Sequence, residues 1–468
     1  MLFNTIQYAL FLGLVLATLR LVPARARSGV LLIASTVFYA MWLPAYLLLL
    51  LVDLIVNYLL LKAMVRSLRP RRYLIASIAF TLCLLAGFKY AAFAVAALLP
   101  VLEMGFGFSP DVPSFFLPLG ISFYSFQIIA LAVDTYRREL KPVESFARYS
   151  LFISFFPQLI AGPILRGAKM LPQLAVGGTP TPERTRRGGW LLVSGLVKKV
   201  VFADFLLAPF VDGAFEAPGL GSAAYHLVTA YSFAFQIYFD FSGYVDMARG
   251  SALLMGFEIP TNFLEPYLSR NPAEFWRRWH ITLSTWLRDY LYIPLGGNRQ
   301  GTARTYVNLW LTMLLGGLWH GAAWTFVVWG GLHGLLLVVH RLIGGSANDI
   351  DRPITARDIP GILVTFHAAA LLFAVFRAPS LAEAGVFFSQ FAAMDFFAGW
   401  PPVQTAIVLL CIGSHFFERW LRGHVAALQQ LCAEHAWGPA AEGLSAGILI
   451  GLAYALSGAG GEFIYFQF

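Results

Sequence analysis

GGLWHGAAWTFVVWGGLHG, residues 316–334, has no Asp, Glu, Lys or Arg and yet contains two histidines, His320 and His333. A run of this length without charge is close to the roughly 20 residues that a helix needs to cross a bilayer. An imidazole in such a place is costly unless it lines a cavity or meets a partner. The rest of the chain fixes the solvent. Of its 468 residues 58% are hydrophobic and only 12% charged, with a mean hydropathy of +0.68, against about 25% charged residues in soluble domains. The composition excludes a soluble globule and predicts an all-α polytopic membrane protein. Apolar runs of spanning length recur from end to end, and none alternates as a barrel strand would. Counting them gives about 11 transmembrane helices in one membrane domain, residues 1–468. The first run, Ile6 to Val22, lacks a basic leader and reads as a retained span.

The net charge of +8 reports topology and gives no reason to expect nucleic acid. Basic clusters fall at Ala24–Arg27, Arg66–Arg72, Arg137–Lys141, Arg166–Arg187 and Trp276–Arg304; the positive-inside rule puts them in the cytoplasm. The turns at Glu103–Asp111 and Asp212–Gly221 hold no Lys or Arg and are expected outside. Between two cytoplasmic clusters lies ARYSLFISFFPQLIAGPILRG, residues 147–167, apolar but interrupted by Pro157, Gly162 and Pro163. A segment that starts and ends on one side is predicted to be re-entrant, its broken backbone satisfied by protein or water. Residues 271–305 combine arginines with Trp276, Trp279, Trp286, Tyr290 and Tyr292. On helical spacing Trp279, Leu283, Trp286 and Tyr290 share one face, the pattern of an amphipathic helix at the headgroup level or in a cytoplasmic funnel.

Two of the nine histidines stand out. His280 sits in the arginine and tryptophan belt, and His320 follows Trp319 in the uncharged run, each where a polar path would end in apolar surroundings. A buried neutral imidazole there suits a general base for a hydroxyl or thiol, although a satisfied core histidine remains the alternative. Asp240 and Asp246, in FQIYFDFSGYVDMARG, need counter-charges at that depth, and the arginines between Trp276 and Arg299 are the expected supply. They would wall a polar tunnel, orient a histidine or brace an ion pair. Cys83, Cys411 and Cys432 are far apart, so no metal site is expected. Phosphate-loop, dinucleotide and HExxH motifs are absent from the sequence, which argues against ATP-driven transport and zinc proteolysis.

Four segments, FPQLIAGPILR, YFDFSGYVDMARG, NFLEPYLSRNPAEFWRRWHITLSTWLRDYLYIPLGGNR and LLGGLWHGAAWTFVVWGGLHG, together resemble the membrane-bound O-acyltransferase family, with a core at about 117–333 and looser likeness at both ends, including the terminal FIYFQF. The resemblance implies spans and re-entrant helices around a central tunnel. His320 matches the catalytic histidine and His280 the second signature position, which holds histidine or asparagine. It further implies an acetyl donor, most plainly acetyl-CoA, met by Arg277, Arg278 and Arg288. Asp240, Asp246 and Trp319 would line the tunnel or stand behind the histidines. The acetyl group would cross the bacterial inner membrane to a separate, extracytoplasmic esterase-like partner that modifies an exported polysaccharide such as alginate. Teichoic acid D-alanylation, peptidoglycan O-acetylation, cellulose acetylation and a non-catalytic transporter are the competing readings.

Overall fold

The computed structural model describes residues 2–106, 112, 117–345, 350–392, 396, 398–435, 437–457 and 463–464, and no strand occurs among them. Four helices are long and apolar enough to cross a membrane: Pro44–Arg66, Pro70–Lys89, Trp324–Leu342 and Ala356–Arg377. The all-α, multi-pass expectation therefore holds. The predicted outer turn at Glu103–Asp111 falls partly, at 107–111, outside the described residues. The chain forms two compact units, Met1–Gly189 with Ala248–Pro260, and Trp190–Met247 with Thr261–Phe468.

In the first unit the Ile6–Leu21 helix starts at Thr5, whose hydroxyl accepts from the Tyr8 amide at 3.3 Å. It buries Tyr8, Leu12, Val15 and Leu19, a stripe at helical spacing. Polar side chains within the two long spans satisfy one another across the helix pair. Asn57 donates to Asp53 at 2.7 Å and to Thr81 at 3.1 Å, and accepts from Ser77 at 2.5 Å. Such bonds replace the water that apolar surroundings cannot supply.

The segment expected to be re-entrant contains two short helices, Phe146–Ser154 and Phe156–Leu159. Nine residues rise only about 14 Å, less than half of a hydrocarbon core of about 30 Å. Where the helix breaks, side chains take over the backbone. Ser35 accepts from the Phe156 amide at 3.2 Å, and the Gln158 amide donates to the Phe152 carbonyl at 2.7 Å and to Gln127 at 3.1 Å. Proline and glycine are tolerated because the protein itself supplies these partners.

In the second unit two helices approach with almost no space between them. A Cβ on Gly317, in the Thr302–His320 helix, would lie 2.3 Å from the Phe326 carbonyl oxygen and 2.8 Å from the Gly330 Cα. One on Gly330, in the Trp324–Leu342 helix, would lie 2.5 Å from the Met313 oxygen. Paired small residues let two backbones touch, the usual device for packing helices where lipid offers no hydrophobic drive. The glycines of the opening stretch thus set the position of His320, the last residue of its helix.

One prediction follows from the two kinds of helical glycine. Gly317→Ala adds a methyl group where there is no room and should destabilise by about 1–3 kcal/mol. Gly413→Ala, where nothing lies within 4 Å, should be neutral or stabilising by up to about 1 kcal/mol. Melting temperatures of the two variants in one lipid should move in opposite directions.

Candidate active site

The segment 271–305 is not the continuous amphipathic helix that its spacing predicts. Asn271 caps a first helix, Pro272–Arg278, by accepting from the Glu274 amide at 2.8 Å. The chain then breaks at Trp279 and His280, resumes as Ile281–Leu287 and continues as a π-helical turn, Arg288–Tyr292. The aromatic face is inward, since Trp279, Leu283 and Trp286 are all buried. At the break His280 has φ +43° and ψ +55°, left-handed backbone that few residues other than glycine adopt. Asn262 holds it there. Its carbonyl accepts from the Ile281 amide at 3.0 Å, and its side-chain oxygen accepts from the Thr282 amide and hydroxyl at 2.9 and 2.8 Å.

The break aims the His280 ring at His320. Their centroids are 6.5 Å apart, with both residues buried. Phe241 meets His280 edge-on at 4.8 Å, while Trp319, Trp329 and Phe376 surround His320 at 5.0, 5.1 and 5.5 Å. The two histidines that the sequence singled out, 40 positions apart in the chain, thus share one aromatic chamber with Trp319. His333 lies one layer further, stacked on Phe275 at 5.9 Å. By contrast His226 is held by the backbone, with both ring nitrogens within 3.0 Å of carbonyls, those of Ser222 and Pro218.

The counter-charges of the aspartates require a correction. Among the described residues both are met by lysines, Lys198 and Lys199, adjacent in the π-helical segment Val197–Leu207, where arginines of the 276–299 belt were expected. Lys199 binds Asp240 at 2.6 Å and Asp204 at 2.9 Å; Lys198 binds Asp246 at 3.0 Å and Glu418 at 2.7 Å. The Tyr238 hydroxyl donates to Glu418 at 2.6 Å. Gly195 and Gly243 bring the helices close enough for these pairs, each with the other's carbonyl oxygen within 2.7 Å of where a Cβ would be. Asp240 also accepts from the Ile464 amide at 2.7 Å, and Phe463 stacks on Tyr244 at 4.4 Å. The chain's last described residues are therefore seated beside Phe241, the ring that touches His280.

The three arginines carried over by resemblance also separate. Arg277 and Arg288 are exposed, and Arg288 pairs with Asp289 at 2.8 Å. Arg278 is turned inward. It binds Glu274 at 2.9 Å and donates to the carbonyls of Leu264 and Ile350 at 3.0 and 2.6 Å. Its charge is used to join loops, because a buried guanidinium needs this many acceptors. Among the described residues no group of His, Cys, Asp and Glu could hold a metal ion.

The backbone at His280 makes a testable demand. Asparagine tolerates left-handed φ and a β-branched residue does not. His280→Asn should melt near the wild type, whereas His280→Val should lose about 1–3 kcal/mol. Equal melting temperatures would show that the backbone relaxes and that Asn262 does not hold this conformation.

Comparison with known proteins bears directly on the chamber. The family model of the membrane-bound O-acyltransferase family matches residues 108–350, which include both histidines. The probable alginate O-acetylase of Pseudomonas aeruginosa is 42% identical over 84% of this chain and 74% of its own length. The peptidoglycan O-acetyltransferase of Helicobacter pylori is 38% identical over 76% of this chain and 71% of its own length. The teichoic acid D-alanyltransferase of Streptococcus thermophilus is 28% identical over 55% of this chain and 68% of its own length. Set on a multi-pass, all-helical scaffold, the paired buried histidines lie within the matched segment, and this chain belongs to the membrane-bound O-acyltransferase family.

Proposed function

We propose that this O-acyltransferase is the membrane subunit of a bacterial polysaccharide O-acetylation system. It takes acetyl from acetyl-CoA on the cytoplasmic side of the inner membrane and passes it across. Its about 11 spans and re-entrant helices would enclose the tunnel through which the group moves. The observation that carries the reading is the approach of His280 and His320 to 6.5 Å in a buried aromatic chamber. Acetyl is favoured over D-alanyl because the two relatives at 42% and 38% identity are named O-acetylase and O-acetyltransferase, against 28% for the D-alanyltransferase.

In this mechanism His320 takes the proton of the attacking hydroxyl as the new C–O bond forms and the thioester C–S bond breaks. The proton then leaves with the CoA thiol, so the imidazole is regenerated. Alternatively its ring nitrogen receives the acetyl before the hydroxyl does. A positive charge developing on the ring lies at the C-terminal end of the Thr302–His320 helix, where unsatisfied carbonyls carry partial negative charge. His280 and Trp319 shape the chamber, and Asp240 and Asp246 act through the lysines that they bind. Arg277 and Arg288, exposed on the same segment, are the residues suited to the donor's phosphates. Arg278 is not, because its donors are already engaged.

The acceptor is an extracytoplasmic esterase-like partner, a separate chain that esterifies an exported polysaccharide, with alginate as the first candidate. Peptidoglycan is the second, on the strength of the 38% identical relative. No metal or permanently bound cofactor enters the mechanism.

CoA release from acetyl-CoA, measured on the full chain in lipid with and without that partner, tests the reading. His320→Ala should lower partner-dependent turnover by roughly 10²–10⁴-fold, the contribution of a general base, with the melting temperature preserved. Arg277→Gln with Arg288→Gln should raise KM for acetyl-CoA and leave kcat nearly unchanged, as expected when ground-state binding alone is lost. Wild-type turnover in a folded His320→Ala would make that residue a core histidine and overturn the mechanism.

A further inference from the structure

The second unit contains a cavity of about 440 Å³ that none of the residues assigned to acyl transfer lines. Its volume is that of a typical small-ligand pocket. Tyr267, Ile362, Phe366 and His415 form its walls. One wall belongs to the apolar span Ala356–Arg377, and the rim residues Ile359, Leu363 and Phe416 are exposed. An exposed apolar rim on such a span suits contact with lipid.

One polar side chain, His415, lines this cavity and a second, Arg419, lies one helical turn beyond it. His415 is 1% exposed, and neither ring nitrogen has a hydrogen-bond partner among the described residues, although a neutral imidazole offers one donor and one acceptor. Its neighbours are rings, with Tyr267 stacked at 5.2 Å and Tyr238 at 4.4 Å. One helical turn along, Arg419 donates to the Arg352 carbonyl at 3.0 Å, on the loop that continues into the cavity wall at Ile354 and Thr355. Its other terminal nitrogen is buried without a hydrogen-bond partner, and no carboxylate lies within ion-pair distance among the described residues. The nearby carboxylates are taken: Glu265 by Arg278 and Arg422, Glu274 by Arg270 and Arg278, Asp358 by Arg270 and Arg352. Glu418, next in sequence, is bound by Lys198 and the Tyr238 hydroxyl, so five guanidiniums, Arg419 included, lie around the three remaining carboxylates, and Arg419 has none within ion-pair distance among the described residues.

We propose that this cavity binds one acyl chain of an anionic membrane phospholipid, with its phosphate on Arg419 and an ester carbonyl accepting from the His415 ring. The separation fits. His415 and Arg419 are offset by about one turn, roughly 6 Å along the helix axis, and a glycerophospholipid holds its phosphate and first ester carbonyl a few bonds apart. An uncharged apolar ligand would leave the arginine uncompensated, and a free anion would leave the apolar cavity unfilled.

Phospholipids with a photoreactive diazirine in one acyl chain test this on the full chain in nanodiscs. Phosphatidylglycerol and phosphatidylcholine probes are compared, and the adducts are mapped by peptide mass spectrometry. Labelling is expected within residues 354–366 and 412–416. The phosphatidylglycerol probe should exceed the phosphatidylcholine probe by roughly fivefold, the ratio equivalent to about 1 kcal/mol for one basic residue at an anionic headgroup. Arg419→Gln should equalise the two probes while the chain still labels, and Ile362→Trp, which fills the cavity, should reduce labelling to background. Leu363→Trp, at the exposed rim, repeats the blocking test if Ile362→Trp lacks a native melting transition. Equal labelling by both headgroups in the wild type would mean ordinary surrounding lipid and overturn the proposal. So would labelling that persists in the blocked, folded variant, or a preference that inorganic phosphate alone abolishes.

Discussion

A charge surrounded by apolar helices must find its counter-charge within the protein, because no water is there to supply one. Lys198 and Lys199 meet this condition together. Each is shared between two carboxylates, Asp246 and Glu418 for the first, Asp240 and Asp204 for the second. The pairs tie the π-helical segment to the Ala223–Leu254 and Pro402–Glu434 helices, and through Asp240 to the backbone of Ile464. Removing one partner of a buried pair costs about 3–5 kcal/mol, so each helix is held in register by a charge that cannot be left alone. The close approach of Gly195 and Gly243 is the geometric condition for it, since a side chain at either position would hold the lysines away. Phe241 lies on the same helix as Asp240 and Asp246 and carries this registration to His280.

The membrane class, the all-α architecture and the two histidines that meet in one buried chamber, His280 and His320, were legible in the sequence, because they follow from composition, run length and residues that are improbable in apolar surroundings. The expected broken segment at 147–167 was legible for a similar reason, as proline and glycine within an apolar run demand side-chain partners. Spacing failed where a helical period was extended through a break. Nothing in WRRWHITL announces left-handed backbone at His280, because the clamp is Asn262, nearly twenty positions earlier. The aspartates' partners were missed for another reason. Arginines nearby in sequence drew the assignment, although LVKKVVFADFLL places two lysines in an apolar run and carries the same signal that singled out the histidines.

That oversight also explains why Arg278 was grouped with Arg277 and Arg288. Neighbouring arginines look equivalent in a sequence, but the capped helix Pro272–Arg278 gives its last residues different directions, and the Glu274 carboxylate one turn earlier selects Arg278. Arg277, next to it, is turned out. The helix thus divides neighbouring arginines into an internal brace, Arg278, and an exposed side chain, Arg277.

The two histidines are held in different ways, and this bears on their chemistry. His280 is fixed through its backbone, at a break clamped by Asn262, and its ring is packed by Phe241 and Trp319. His320 is fixed by the glycine approach of two helices and by the rings of Trp319, Trp329 and Phe376. It stands at a helix end, where the carbonyls favour a transient positive charge, whereas His280 stands at the start of the Ile281–Leu287 helix, whose first amides are bound by Asn262 and offer no such support. A pair of identical side chains is thereby made unequal by backbone alone. The proposed roles, His320 as proton acceptor and His280 as a fixed wall of the chamber, draw on that asymmetry as well as on the matched motif.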